Sequence, residues 1–179
     1  MRLRIPFISM IVASLFFLGL ILFTPIGHPM LQSMFPVGEV GSVVWKEIRL
    51  ENKAARYLVC PGYDLCEDLN DRTAIFDAPV SRLFDEWSRI ISEDEEGMEL
   101  VLSEENIRQY SYVIRSSFLQ MPDIITVQFF EYLEDENRTR SSIAIYSRRV
   151  YVSGDFGANA ARVARYLDEL ERVLGVYRR

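Results

Sequence analysis

Two segments of the chain repeat apolar residues at helical spacing. Between Val80 and Ile91 the apolar positions fall three, four and seven residues apart, with charged residues on the opposite side. This pattern predicts an amphipathic helix, preceded by Asp77 as a capping residue and Pro79 as a first-turn residue. A second helix is expected to begin near Asp155, because an apolar stripe follows it. The stripe consists of Phe156, Ala160, Val163, Leu167, Leu170 and Leu174.

Most of the remaining chain alternates apolar and polar residues, as strands with one buried face do. A short extended segment is expected over residues 56–61, and strands are expected over residues 72–76, 98–102, 109–115, 124–133 and 140–150. The order is then strand, helix, four strands, helix. It predicts an α+β fold, in which an antiparallel sheet of about five strands carries two amphipathic helices packed on one face.

The N-terminal region contains an uninterrupted apolar run from Phe7 to Phe23. Its seventeen residues would form about 26 Å of helix, at the short end of what crosses a bilayer. Arg2 and Arg4 precede the run, and no Lys or Arg follows until Lys46. We therefore expect one N-terminal transmembrane helix preceding the domain, with the membrane contacted through residues 5–23 and the N-terminus in the cytoplasm. A cleaved signal peptide is the competing interpretation.

This interpretation divides the chain into three parts. Residues 1–24 would be the transmembrane anchor or an uncleaved signal, and residues 25–53, rich in Pro and Gly, a juxtamembrane tether. Residues 54–179 would form a single globular domain. The predicted location is a single-pass membrane protein whose domain is extracytoplasmic, which means periplasmic in a Gram-negative cell.

Charge and cysteine content limit the possible functions. The net charge of −6, from 26 acidic and 20 basic residues, argues against a nucleic-acid partner, which requires a basic surface. The two cysteines, Cys60 and Cys66, enclose five residues and suggest a disulfide in an exported domain, with two free thiols as the alternative. No spacing of ligands predicts a metal site, and no motif predicts a cofactor.

No nucleophile and base can be paired from the sequence, so no catalytic residue is predicted. The remaining candidates surround the turn before the last helix, where arginines and helix N–H groups could bind an anionic group. They are Arg148, Arg149, Asp155, Asn159 and Arg162. The alternative is structural: Asp155 caps the helix and pairs with an arginine, while Gly154 and Gly157 shape the turn.

The residues around this turn resemble the DUF1499 family, a family of unknown function. The serine-arginine pair at Ser147 and Arg148, followed by the run from Asp155 to Arg162, is similar to the family signature that opens the last helix. Cys60 and Cys66 keep the family's cysteine spacing, and Met121-Pro122-Asp123 resembles its segment before a strand. The resemblance covers about residues 56–174. Leu65 and Ile124 depart from the family pattern, at positions where it has polar residues.

The function predicted from the sequence is that of a membrane-anchored envelope domain, a non-catalytic binding or structural module. Its partner would be an unknown protein or a small anionic ligand. The alternative is a hydrolase-like enzyme that uses a carboxylate and arginines on an anionic envelope substrate.

Overall fold

The computed structural model describes residues 4–51, 55–62, 64–94, 97–135, 138–151 and 154–176. The helices are α1 (Arg4–Phe23), α2 (His28–Met34), α3 (Val80–Ser92) and α4 (Ala158–Leu174), with single 3-10 turns at Trp45–Glu47 and Glu105–Ile107. The strands are β1 (Arg56–Cys60), β2 (Asp71–Arg72), β3 (Glu99–Glu104), β4 (Gln109–Arg115), β5 (Pro122–Asp135) and β6 (Arg138–Arg149).

The strands form one six-stranded sheet in the order β2-β1-β6-β5-β4-β3. The α+β class is confirmed, but the prediction of an antiparallel sheet of about five strands is wrong, because β2 runs parallel to β1. The chain turns back after Cys66 and rejoins the sheet beside β1 for only two residues. Of the strand predicted over residues 72–76, only Arg72 belongs to β2, and Phe76 makes isolated bridges with Ser141 and Val176.

Helices α3 and α4 cover one face of the sheet. Trp87 of α3 and Tyr166 of α4 are fully buried there, with their rings 5.5 Å apart and nearly perpendicular. Leu83 and Leu170 complete the contact with the strands. The main core of the domain lies on this face of the sheet. The polar cluster described in the next section lies on the same face.

Residues 43–50 cover part of the opposite face. Trp45, Ile48 and Leu50 are buried in a second apolar cluster with Leu58 of β1 and the two cysteines. The Trp45 indole donates a hydrogen bond to the side chain of Gln128. These residues belong to the segment predicted as a tether, and the structure places their side chains against the sheet.

Cys60 and Cys66 lie at disulfide-bonding distance, with their Cα atoms 6.4 Å apart. Both residues are fully buried in the second apolar cluster. The pair connects the end of β1 to the loop that leads to β2, next to the parallel pairing of these strands.

Across the described ranges, none of the helices combines the length and the apolar character needed to cross a membrane. The predictions of an N-terminal transmembrane helix and of a single-pass membrane protein are therefore wrong. The apolar run that suggested them, Phe7 to Phe23, has seventeen residues, fewer than the ~20 consecutive apolar residues that a membrane-spanning helix usually needs.

Candidate functional site

Asp123 is the centre of a polar cluster under the start of α4. The β5–β6 register places it directly opposite Arg149, whose Nε lies 2.9 Å from Asp123 Oδ1. Arg162 of α4 approaches the other oxygen, with its Nη1 3.4 Å from Asp123 Oδ2. The Asp123 side chain is only 5% exposed, so one buried carboxylate is shared by two guanidiniums. The hydrogen bond that Arg149 donates to Asp123 raises the pKa of Arg149.

Asn159 connects the cluster to the neighbouring strands. Its side-chain oxygen accepts hydrogen bonds from Ser147 Oγ at 2.6 Å and from Arg162 Nη1 at 3.1 Å. Its amide nitrogen donates to the carbonyl of Ala55 at 3.3 Å. Asn159 is 1% exposed. A buried amide with both ends hydrogen-bonded holds its neighbours in a defined position, so Asn159 orients Arg162 toward Asp123.

Asp155 caps α4. Its two carboxylate oxygens accept hydrogen bonds from the backbone N–H groups of Gly157, at 3.0 Å, and Asn159, at 2.8 Å. Gly157 has a φ of 84°, in the left-handed region that glycine adopts without strain. The Asp155 charge also favours the charged form of Arg149. Asp155 therefore forms the helix cap that was the structural alternative to a ligand-binding role.

Arg148 lies apart from the other predicted residues. Successive side chains of a strand point to opposite faces, and Arg149 faces α4. Arg148 therefore faces the other way and lies opposite Arg56 in the β1–β6 register. It is half-buried, and burial lowers its pKa. The structure brings together four of the five predicted residues, and Arg148 is on the other side of the sheet.

Asp123 was not among the predicted site residues, although it unites the cluster. The aspartate was visible only as part of the Met121-Pro122-Asp123 resemblance. A register that pairs the start of β5 with the end of β6 would have placed it opposite Arg149. Hairpin geometry was the available signal, but the strands expected over residues 124–133 and 140–150 left six residues between them, too many to define a register. In the structure β5 extends to Asp135 and β6 begins at Arg138.

A cavity of about 860 Å³ opens beside this cluster. Arg149 and Arg162 line it from the cluster, and Arg115 lines it from the end of β4. Its other lining residues include His28 and Gln32 of α2, Glu99, Ser116, Ser117, Gln120 and Ala158. Ala158 is the first residue of α4, so the positive end of the helix dipole is next to the cavity.

Arg115 is held at the cavity by neutral groups. Its Nη1 donates to the carbonyl of Gln120 at 2.8 Å and to the carbonyl of Phe35 at 3.2 Å. Gln120 has a φ of 54° and accepts a hydrogen bond from Gln32 of α2 at 3.2 Å. Because carbonyls carry no net charge, the Arg115 cation is positioned without being neutralised by them.

A second groove lies between α3 and α4 and has a volume of about 540 Å³. Most of its charges pair with each other: Arg89 contacts Glu93 and Glu169, Arg172 also contacts Glu169, and Arg165 contacts Asp94. This groove therefore offers little unbalanced charge to a ligand. Among the described residues, no group of three or more His, Cys, Asp and Glu side chains is placed to hold a metal ion.

The cavity contains possible reactive groups, but they are not arranged as a nucleophile and base. His28, the sole histidine of the sequence, borders the cavity with Ser116 and Ser117. Within the described ranges, no hydrogen bond joins His28 to either serine, and Ser116 Oγ accepts from the backbone N–H of Met121 at 3.0 Å. The geometry supports electrostatic binding better than nucleophilic catalysis.

No family model matches the sequence, and no curated protein matches it. The resemblance to the DUF1499 family therefore remains a prediction.

Proposed function

We propose that this protein is a non-catalytic binding module that holds a small anionic ligand in the cavity beside α4. The observation that carries the proposal is the convergence of Arg115, Arg149 and Arg162 on one concave surface. Guanidinium groups form paired, charge-assisted hydrogen bonds with carboxylates and phosphates.

The charge distribution around the cavity supports the same proposal. Arg149 and Arg162 both contact Asp123, and both also line the cavity. Arg115 contributes a third cation whose hydrogen-bond acceptors are carbonyls. The start of α4 adds a partial positive charge. An anion in the cavity would be stabilised by all of these groups.

Calorimetric titration of the full chain with succinate, and separately with inorganic phosphate, tests the proposal. We expect saturable binding of one of the two anions. The variant Arg115→Gln should weaken it about ten-fold, because a hydrogen bond to a charged group contributes roughly 1.5 kcal/mol or more. The matched control is Arg82→Gln, which removes an exposed arginine of α3 that does not line the cavity.

Two results would contradict the proposal. Unchanged affinity in Arg115→Gln, with circular dichroism showing a native fold, would contradict the proposal. An equal loss of affinity in Arg82→Gln would also contradict it, because the effect would then come from net charge alone. Succinate and phosphate distinguish a carboxylate ligand from a phosphate ligand at the same site.

We also propose membership of the DUF1499 family. The proposal is supported by the run from Asp155 to Arg162, which forms the helix cap and part of the buried cluster, and by the spacing of the cysteine pair. An experimental structure of a member of that family tests it. Absence there of a sheet in the order β2-β1-β6-β5-β4-β3 would overturn it.

A further inference from the structure

Two arginines lie side by side on the sheet face opposite α4. Arg56 of β1 and Arg148 of β6 are direct partners in the antiparallel ladder, so their side chains share one face. Like charges directly opposite each other destabilise a pair of strands. The cavity beside α4 is on the other face and does not include either residue among its lining.

The Arg148 guanidinium is poorly compensated. It is half-buried, and it forms no hydrogen bond or ion pair with any residue in the described ranges. Arg56 donates to the carbonyl of Arg49 at 3.2 Å and forms a side-chain hydrogen bond with the Tyr146 hydroxyl, and both of these groups are neutral. Removing a guanidinium from water without giving it an acceptor costs free energy. The pair therefore carries two positive charges that the described contacts leave without a counter-charge.

Two acidic residues on this side of the sheet already serve other groups. Glu67 pairs with Arg49 at 2.7 Å, and Asp68 accepts a hydrogen bond from the Leu50 backbone at 2.9 Å. Tyr146 lies next to the arginines along β6, and burial raises the pKa of its hydroxyl. The hydroxyl stays protonated at neutral pH and remains able to donate a hydrogen bond.

We propose that Arg56 and Arg148 bind a phosphate-type oxyanion, at a site separate from the cavity. Two guanidiniums can each donate a pair of N–H groups, and a tetrahedral dianion offers enough acceptor oxygens for both. A dianion also balances two charges, whereas a single carboxylate balances one. The ligand class is therefore a phosphate group, either free or attached to a small molecule.

Phosphate titration of the ¹⁵N-labelled full chain tests this inference, with the arginine Nε–Hε signals as the readout. The titration is done in the Arg115→Gln background, in which phosphate binding in the cavity is weakened. We expect the signals of Arg56 and Arg148 to shift saturably. Arg148→Gln should lower the phosphate affinity measured from the Arg56 signal at least five-fold. Arg148→Lys should restore only part of that affinity, because lysine lacks the planar fork of the guanidinium.

The control variant is Arg108→Gln, which removes a half-exposed arginine paired with Glu131. It should leave the phosphate affinity unchanged. Signals that do not move, or that move equally with sodium chloride at the same ionic strength, would overturn the proposal. Acetate binding as tightly as phosphate would overturn the assignment of a dianion. The outcome of this titration does not depend on the outcome for the cavity. The Arg56 and Arg148 signals test the site on this face of the sheet, whereas the calorimetric titration of Arg115→Gln tests the cavity.

Discussion

The carboxylate of Asp123 accepts a hydrogen bond from the guanidinium of Arg149 across the β5–β6 ladder, with 2.9 Å between Oδ1 and Nε. Arg162 approaches the same carboxylate from α4. One buried acid therefore joins the end of the sheet to the first turns of the last helix. The same contact places both guanidiniums at the edge of the cavity.

Replacing Asp123 by asparagine should destabilise the fold. Arg149 and Arg162 are 16% and 9% exposed, and without the carboxylate both buried cations would lose a counter-charge. We expect Asp123→Asn to lower the free energy of unfolding by about 3 kcal/mol. Urea denaturation measures the change. The control is Glu67→Gln, at an exposed ion pair, which should cost less than about 1 kcal/mol. Equal effects of the two substitutions would show that Asp123 does not carry this role.

The cysteine pair should contribute to stability as a disulfide. A crosslink that closes so short a loop adds about 2 kcal/mol on the chain-entropy model. We expect the double variant Cys60→Ser/Cys66→Ser to unfold at lower denaturant concentration than the untreated protein. A reducing agent should lower the stability of the wild-type chain and leave the double variant unchanged. Two thiols that react freely with a thiol reagent in the native, untreated protein would refute the disulfide.

Glu169 should make the fold sensitive to acid. Hydrogen bonds from Arg172 and then Arg89 lower the pKa of its carboxyl group to about 2, from an ordinary value of 4.5. The unfolded chain therefore binds this proton more readily than the folded chain. The contribution of Glu169 is present above pH 4.5 and is lost as the pH falls toward 2. Thermal denaturation across this range should show a shallower decline for Glu169→Gln. An identical slope in both proteins would contradict the expectation.

Phe156 has an unfavourable backbone conformation, with a φ of 53°, and its side chain is fully exposed. Asparagine adopts the left-handed region more readily than a bulky residue. We therefore expect Phe156→Asn to stabilise the fold by up to about 1 kcal/mol, seen as a melting temperature raised by a few degrees. Gly157→Ala is the opposite test, because alanine at a φ of 84° should be strained and lower the melting temperature. A decrease in Phe156→Asn would indicate that the ring has a partner.

Local periodicity was sufficient to predict several elements. The apolar residues between Val80 and Ile91 predicted α3, and β4 occupies the residues expected from alternation, Gln109–Arg115. These patterns can be read from sequence because each element buries one face against the same core. The pairing of β1 with β2 was missed, because a two-residue parallel contact produces almost no periodic signal.

The buried face of α4 shows where local patterns are insufficient. The apolar stripe predicted for this helix includes Phe156 and leaves out Asn159, Arg162 and Tyr166. The structure differs: these three residues are buried, while Phe156 is fully exposed. Hydrophobic periodicity assumes that polar residues face water. The assumption fails when a distant residue, here Asp123, supplies the counter-charge.

The sequence by itself determined the α+β class and the polar turn before the last helix, since both depend on patterns within short segments. Tertiary structure decided which residues of that turn act together. The sheet placed Arg149 and Arg148 on opposite faces, and strand pairing brought Asp123 to the first of them and Arg56 to the second. The difference has a physical reason. Side-chain direction follows from the local backbone, but a partner from another strand is supplied only by the long-range pairing of the sheet.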